Sequence, residues 1–250
     1  MENKPYGTVL IKAEKIMSFL SERPNSTLQK IAQGTEITSS TTSKILETLV
    51  LIGFVKRNEK NKEYSLGTKF IRYANKGIEQ IGLVEVARPL LTELRNEIDE
   101  TIHLGIFSDD EVLYVDKLEP RHQVIFMSTK IGTMRPLYSS AMGKAILSEL
   151  SFEEVQEYLG RTKLIPYTEN TITNSLKLIN ELETVKQLHV ALDDEEMEKE
   201  IYCFGSSIKS QGKVIGAFSI SMPKYRLNEE RRNKIIESLI ETKKKIEQKL

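Results

Sequence analysis

The first 66 residues alternate between helical and strand-like spacing of their apolar positions. Three segments repeat apolar residues every three or four positions, as amphipathic helices do: Val9 to Leu20, Leu28 to Ala32, and Ser39 to Leu51. Two short β-like runs follow, Phe54 to Arg57 and Glu63 to Leu66, and a polar segment joins them as a hairpin. Helix, short helix, turn, helix and hairpin is the element order of a winged helix-turn-helix.

Local signals set the expected ends of these helices. The Arg-Pro-Asn sequence at 23–25 stops the first helix. The second helix begins with the pattern of a capping box, with Ser26 as N-cap and Gln29 at the third helical position. We expect Gly34 to break the second helix and Gly53 to end the third. The buried face of the third helix is predicted to consist of Ile45, Leu46, Leu49 and Val50.

The third helix begins with a run of hydroxyl side chains. In a helix-turn-helix this end of the helix enters the major groove of DNA, where short hydroxyls suit contacts with phosphates and base edges. Helix capping and a solvated surface account for one or two of them. The candidate DNA contacts from the helix are Ser39, Ser40, Thr41, Thr42, Ser43 and Lys44. The hairpin adds Lys56, Arg57, Lys60 and Lys62. A winged helix that makes only protein contacts is the alternative.

A linker segment follows the hairpin and leads to a C-terminal domain of mixed helices and strands. Residues 1–67 form the predicted DNA-binding domain, and residues 68–82 a linker helix in which Gly77 and Gly82 favour a bend. The apolar positions of the linker are Phe70, Ile71, Ala74, Ile78 and Ile81. They suit packing on a partner chain, and a dimer would suit paired half-sites on DNA.

The apolar pattern of residues 83–250 predicts an α+β domain. Helices are expected at 84–98, 142–150, 152–159, 176–188 and 228–250, and strands at 101–107, 112–118, 123–127, 190–192, 201–209 and 214–222. Asp109-Asp110 and Gln211-Gly212 are the expected tight turns between consecutive strands.

The charge distribution changes the reading of a chain whose net charge is zero. Residues 1–76 hold 13 Lys and Arg and 7 Asp and Glu, a net charge of +6, so the remaining residues carry −6. A basic module on an acidic body suits one part that contacts a polyanion and one that does not.

The single cysteine excludes an internal disulfide, makes a zinc site improbable and indicates a reducing compartment. No signal peptide or membrane-spanning run is visible, so we expect a cytoplasmic protein. We expect no metal ion and no cofactor.

Three features of the C-terminal body could bind a small molecule. A serine-rich loop runs from Leu137 into a helix whose first N–H groups would attract an anion. Asp193 and Cys203 stand ten positions apart, and strand alternation puts Ser219 and Ser221 on one face. The competing interpretations are hydroxyls bonded to neighbouring backbone and a cysteine that acts as a small buried apolar residue.

Taken together, these pieces resemble the IclR family of bacterial transcription regulators over nearly the whole chain. The matching segments are LQKIAQGTEITSSTTSKILETLVLIGFVKRNEKNKEYSLG, ETIHLGIF, VLYVDKLEP, PLYSSAMGKAIL, HVALDDEEM and GKVIGAFSISMP. The resemblance implies a winged helix, a linker helix and a GAF-like effector domain, with the protein a dimer or a dimer of dimers. It favours a repressor.

The resemblance also implies an effector pocket for a small carboxylate such as those that some family members bind. Backbone amides would come from Ala141 and Met142, and side chains from Asp193, Cys203, Ser219 and Ser221. Met142 stands where small residues are common in the family, so we expect a different cavity shape.

Asp193 restricts the class of effector, because an ionised carboxylate would repel an acid. Either the effector also presents a hydroxyl, amine or hydrated carbonyl, or desolvation keeps Asp193 protonated. We therefore predict a hydroxy-, oxo- or amino-acid-like effector.

Two other classes of function compete with an effector-responsive regulator of double-stranded operator DNA. One is an enzyme with Cys203 as nucleophile and His103, His122 or His189 as base, although no nucleophile motif surrounds the cysteine. The other is a protein-interaction module that does not bind DNA.

Overall fold

The chain divides into two units, Met1–Gln80 and Ile81–Leu250, and each unit has hydrophobic packing of its own. The computed structural model describes residues 6–79, 82–122 and 129–250. The predicted strand at 123–127 lies outside these described residues. Of the predicted linker at 68–82, the helix that ends at Glu79 belongs to the first unit, whereas Gly82 begins the first helix of the second unit.

The first unit is a winged helix-turn-helix, as the hydrophobic pattern predicts. Its elements are α1 Thr8–Glu22, β1 Ser26–Thr27, α2 Leu28–Thr35, α3 Ser39–Leu51, β2 Val55–Arg57, β3 Glu63–Leu66 and α4 Lys69–Glu79. The three strands form an antiparallel sheet in the order β1-β3-β2. Apolar side chains from α1, α2, α3 and the sheet close one core beneath α3.

The predicted capping box at Ser26 is wrong. Ser26 lies in β1 opposite Tyr64, and its hydroxyl donates to the carbonyl oxygen of Arg23 at 2.8 Å. Thr27 occupies the N-cap position of α2 and makes no side-chain capping bond. Strand pairing with the hairpin therefore takes the residues that local sequence would assign to a cap.

Gly34 does not break α2, which continues to Thr35. A Cβ on Gly34 would lie 2.2 Å from Cε2 of Phe19, so the glycine is needed where α1 and α2 approach each other. The helix ends instead at Glu36, which adopts the left-handed conformation with φ of 57°.

The buried face of α3 differs from the prediction at one position. Thr42 is fully buried with Ile45, Leu46 and Leu49, whereas Val50 is 37% exposed. Positions 42, 45, 46 and 49 form one helical stripe, and position 50 lies outside it.

The second unit contains a six-stranded antiparallel sheet in the order β6-β5-β4-β9-β8-β7. Its strands are β4 Thr101–Ser108, β5 Glu111–Leu118, β6 Met134–Pro136, β7 Ala191–Asp194, β8 Ile201–Ser210 and β9 Lys213–Pro223. Its helices are α5 Gly82–Ile98, α6 Ala141–Leu147, α7 Phe152–Arg161, α8 Ser175–Leu188 and α9 Glu229–Glu247. Both predicted turns have positive φ, at Asp109-Asp110 and Gln211-Gly212, and the strand β6 was not predicted.

Helices cover both faces of this sheet. Apolar residues of α5 and α9 pack with Ile102, Phe218 and Ile220 on one face. Residues of α6, α7 and α8 pack with Val112 and Ala217 on the other. The N-terminus of α6 lies against the sheet because β8 carries Gly205 there, where a Cβ would come within 2.4 Å of the Ala141 carbonyl carbon. Within the described part of the chain, no helix combines the length and apolar character of a membrane span.

Candidate DNA interface and candidate effector pocket

The N-terminal end of α3 presents most of its predicted polar side chains to solvent. Ser39, Ser40 and Lys44 are exposed, and Thr41 and Ser43 are partly buried. Thr41 accepts a hydrogen bond of 2.9 Å from Thr38, and Ser43 donates one of 3.0 Å to Glu47. The structure thus places five of the six predicted helix positions on one accessible surface.

Thr42 does not belong to that surface. Its side chain lies in the core, and its hydroxyl donates to the carbonyl oxygen of Thr38 at 3.1 Å. A threonine buried in this way holds the turn before the helix to the helix itself. Thr42 is therefore removed from the candidate DNA contacts.

The wing exposes its four predicted basic residues with different degrees of charge compensation. Glu59 forms ion pairs with Lys62 at 2.9 Å and with Arg57 at 4.0 Å, and these contacts lower the pKa of its carboxyl group. Lys56 and Lys60 make no ion pair within the described residues. They are the wing cations most available to a phosphate backbone.

The second unit assembles a polar cavity on the face of its sheet that α6 covers. Asp193 in β7 pairs in register with Cys203 in β8, which pairs with Ser221 in β9. Ser219 in β9 pairs with His103 in β4. One row of adjacent strands therefore brings together residues that are far apart in sequence.

The N-terminus of α6 closes this cavity. Ser140 is its N-cap, and the Ser140 hydroxyl accepts a hydrogen bond of 3.1 Å from the Gly143 amide. All six predicted effector residues line the cavity, which measures about 50 Å³. The wall also includes residues that sequence reasoning did not assign to it: His103, Tyr114, Thr129, Arg135, Ser140, Met197, Glu198 and Ile201.

Asp193 is the buried acidic group of the cavity wall, only 4% exposed, whereas Glu198 in the same wall is exposed. Its Oδ1 atom accepts a hydrogen bond of 2.7 Å from the amide of Glu196. Burial and the nearby Glu196 charge raise the pKa of Asp193 to about 7, although the amide bond and Lys144 act in the opposite direction. Near neutral pH this carboxyl group is therefore divided between its protonated and ionised forms.

A buried cluster of charged side chains stabilises the loop that follows Asp193 and β7. Lys144 of α6, 1% exposed, pairs with Glu196 and lies 3.5 Å from Glu181 of α8. The backbone oxygen of Glu196 also accepts a hydrogen bond of 2.6 Å from the hydroxyl of Thr171. These contacts tie the loop after β7, which contains Glu196, to α6 and through Lys144 to α8.

His103 is buried in the cavity wall, and one of its ring nitrogens is unpaired among the described residues. Its Nδ1 atom lies 3.3 Å from the hydroxyl oxygen of Ser221, and its ring meets Tyr114 edge-on at 5.2 Å between centroids. Its Nε2 atom has no hydrogen-bond partner among the described residues. Burial, helped by the charge of Lys117, lowers the pKa of His103 to about 3.

The sequence held a signal for His103 but none for Arg135. His103 is a polar residue between Ile102 and Leu104, so strand alternation turns it away from the apolar core. Arg135 belongs to the short strand β6 and has no such pattern around it.

The proposed enzyme chemistry has little support in this geometry. Burial raises the pKa of the Cys203 thiol well above its ordinary value, and the negative charge of Asp193 raises it further. A protonated thiol is a weak nucleophile. Of the other candidate bases, His122 pairs with Asp99 on the surface, and His189 caps α8. No group of three or more His, Cys, Asp or Glu in the described ranges is arranged to hold a metal ion.

Comparison with known proteins identifies the two units. The helix-turn-helix domain of IclR matches residues 9–59, and the C-terminal domain of the bacterial transcriptional regulator IclR matches residues 75–248. The chain belongs to the IclR family of bacterial transcription regulators. Its relatives include the transcriptional repressor IclR of Escherichia coli, 28% identical over 226 residues that cover 89% of this chain and 82% of that protein.

Solved structures of the IclR family share this fold. IclR from Thermotoga maritima is 33% identical, with a TM-score of 0.78 over 97% of this chain and 98% of that one. An IclR homologue from Microbacterium hydrocarbonoxydans, solved with 4-hydroxybenzoate, is 22% identical, with a TM-score of 0.83 over 96% of this chain and 98% of that one. This IclR-family protein is therefore a DNA-binding transcription regulator and not an enzyme.

Proposed function

We propose that this regulator represses transcription from a double-stranded operator and that a small carboxylate-type metabolite modulates its operator binding. The observation that carries the proposal is the cavity in which α6 and the six strands of the sheet bring polar groups together. The Escherichia coli relative is a transcriptional repressor, which supports the proposed direction of regulation.

Arg135 and Asp193 together define the charge of the proposed effector. Arg135 lines the cavity and makes no ion pair with any described residue, so its guanidinium can bind a carboxylate. The pKa of Asp193 lies close to neutral pH, so this residue can accommodate the anion by taking up a proton. A single carboxylate at the Arg135 end is thus compatible with an aspartate in the wall.

The size of the cavity limits the effector to a small molecule. A volume of about 50 Å³ holds roughly four water molecules. A volume this small favours an acid of a few carbon atoms over an aromatic acid. The proposed effector contacts are the side chains of Asp193, Cys203, Ser219 and Ser221, the amides of Ala141 and Met142, and the guanidinium of Arg135.

DNA binding is assigned to residues 1–67, and the linker at 68–82 joins them to the effector domain at 83–250. A homodimer, or a dimer of dimers, would present two copies of α3 to paired half-sites. Effector binding would change the spacing of these copies, with a coupling free energy of about 1–3 kcal/mol if it is typical.

Operator binding is tested by gel shift of the purified protein with DNA from upstream of its own gene. We expect binding that weakens with salt by about 0.9 log units per phosphate contact for each log unit of salt concentration. Lys60→Ala should reduce this slope. Lys12→Ala, which removes an exposed lysine of α1 outside the proposed contacts, serves as the matched control. A protein that shifts no operator DNA, or shifts it equally at all salt concentrations, would favour the protein-interaction alternative.

Effector binding is tested by calorimetric titration with a panel of small hydroxy, oxo and amino acids. At least one acid should bind, and it should weaken the gel shift. Ser219→Ala and Ser221→Ala should each weaken that binding, since each removes a hydroxyl from the cavity wall. Unchanged affinity in both variants would refute the assignment of the pocket.

A further inference from the structure

His103 carries an unpaired polar atom at the wall of the effector cavity. The side chain is only 3% exposed, and Ser221 occupies its Nδ1 side. Its Nε2 atom is buried without a partner among the described residues, although the ring itself lines the cavity. Buried ring nitrogens are nearly always hydrogen-bonded, and the cavity is where a partner for this one can sit.

The environment of His103 determines what kind of partner it can take. Burial and the Lys117 charge keep the ring neutral, as its pKa of about 3 indicates. A neutral ring adds no charge to the site, so Arg135 remains the stronger partner for a carboxylate. The atom left for Nε2 is therefore an uncharged oxygen of the effector.

Ser221 leaves both tautomers of His103 available. Its hydroxyl can donate to Nδ1 or accept from it. Nε2 can consequently donate to a carbonyl oxygen or accept from a hydroxyl. Asp193 and Ser219 line the same cavity and can bind the second side of a hydroxyl group.

We infer that His103 is a specificity-determining residue of the effector pocket, which selects acids that carry a hydroxyl or carbonyl oxygen beside the carboxylate over acids that lack it. This inference rests on the proposed effector binding and deepens it. It assigns the carboxylate to Arg135 and the second oxygen to Nε2 of His103.

The test compares three acids with the same carbon skeleton, lactate, pyruvate and propionate, by calorimetric titration of the full-length protein. Wild-type protein should bind lactate or pyruvate roughly tenfold or more tightly than propionate, because propionate leaves Nε2 unpaired. All three titrations are made at one pH, because Asp193 in the same cavity wall has a pKa of about 7 and its protonation state must be the same for the three acids.

Two variants separate recognition from a structural role. In His103→Asn the amide replaces the Nδ1 side of the ring and leaves nothing at Nε2, so the preference for lactate or pyruvate over propionate should fall to about one. In His103→Gln the longer amide reaches the Nε2 position, so the preference should persist. A merely structural role would weaken the binding of all three acids equally in both variants.

A measurement on the wild-type protein makes the test independent of how the variants fold. The ¹⁵N resonance of His103 Nε2 should shift on addition of lactate or pyruvate and not on addition of propionate. An unchanged resonance with a bound hydroxy or oxo acid overturns the inference, as does a preference that survives in His103→Asn. If wild-type protein binds operator DNA but no acid of the whole panel, the small-carboxylate proposal fails. Equal affinity for lactate, pyruvate and propionate overturns only the inference about His103.

Discussion

The contact between α6 and the sheet makes Gly205 a sensitive position in the effector domain. An alanine there would place its Cβ 2.4 Å from the carbonyl carbon of Ala141 and 2.8 Å from the amide nitrogen of Met142. Non-bonded carbon atoms prefer a separation of about 3.5–4.0 Å, so the start of α6 would have to move by roughly 1 Å. Both obstructing atoms are backbone, so no side-chain rotation can relieve the clash.

The expected cost of Gly205→Ala is about 1–3 kcal/mol, the usual range for overpacking a well-packed core. In a domain of this size each kcal/mol lowers Tm by about 2–4 °C, so Tm should fall by about 2–12 °C. Moving one amide out of reach of the effector should also weaken effector binding roughly 2- to 10-fold, the value of one hydrogen bond.

Gly160→Ala is the matched control, because it makes the same chemical change in the same unit. Gly160 lies in α7, and a Cβ there would meet nothing within 4 Å. This variant should be more stable than wild type by about 0.4–1 kcal/mol, since alanine favours the helix. Differential scanning calorimetry at one protein concentration measures all three proteins, because oligomers shift Tm with concentration. A Gly205→Ala protein with wild-type Tm, or an equal loss in Gly160→Ala, would refute the packing argument.

Three further predictions follow from the charged and hydroxyl groups. Protonated Asp193 tolerates an anion, so the affinity for an acid effector should fall as pH rises from 6 to 8 through the Asp193 pKa of about 7. Asp193→Asn should flatten this dependence of affinity on pH. A steeper dependence in the variant would contradict the prediction. Lys144→Met leaves the buried Glu196 carboxylate without its positive partner, so the free energy of unfolding measured in urea should fall by about 3–5 kcal/mol. Adding Glu196→Gln should restore part of this free energy. Equal stability of the single and double variants would count against the prediction. Ser40→Ala should weaken the operator gel shift without changing Tm. Thr42→Val removes a buried hydrogen bond, so it should lower the free energy of unfolding by about 1 kcal/mol and leave operator affinity unchanged.

Periodicity was sufficient to predict most helices and strands of this protein. The predicted bounds of α3 agree with the structure at both ends, and both tight turns lie where their residues indicate. Apolar spacing is a local property, and positive φ is favoured by residue types at the turn itself. The same reasoning failed where a distant segment intervened, as at Ser26, whose backbone pairs with the hairpin.

The resemblance to the IclR family named six candidate pocket positions, and all six line one cavity, but only the tertiary structure decided what surrounds them. Strand register sets His103 opposite Ser219, and the β5–β6 pairing adds Arg135 to the same wall. Sequence alone thus determined the elements and the basic and acidic halves of the chain, because both depend on residues near each other along the chain. The burial of Thr42, the raised pKa of Asp193 and the unpaired nitrogen of His103 depend on which strands and helices meet, because desolvation and hydrogen bonding are fixed by neighbours in space.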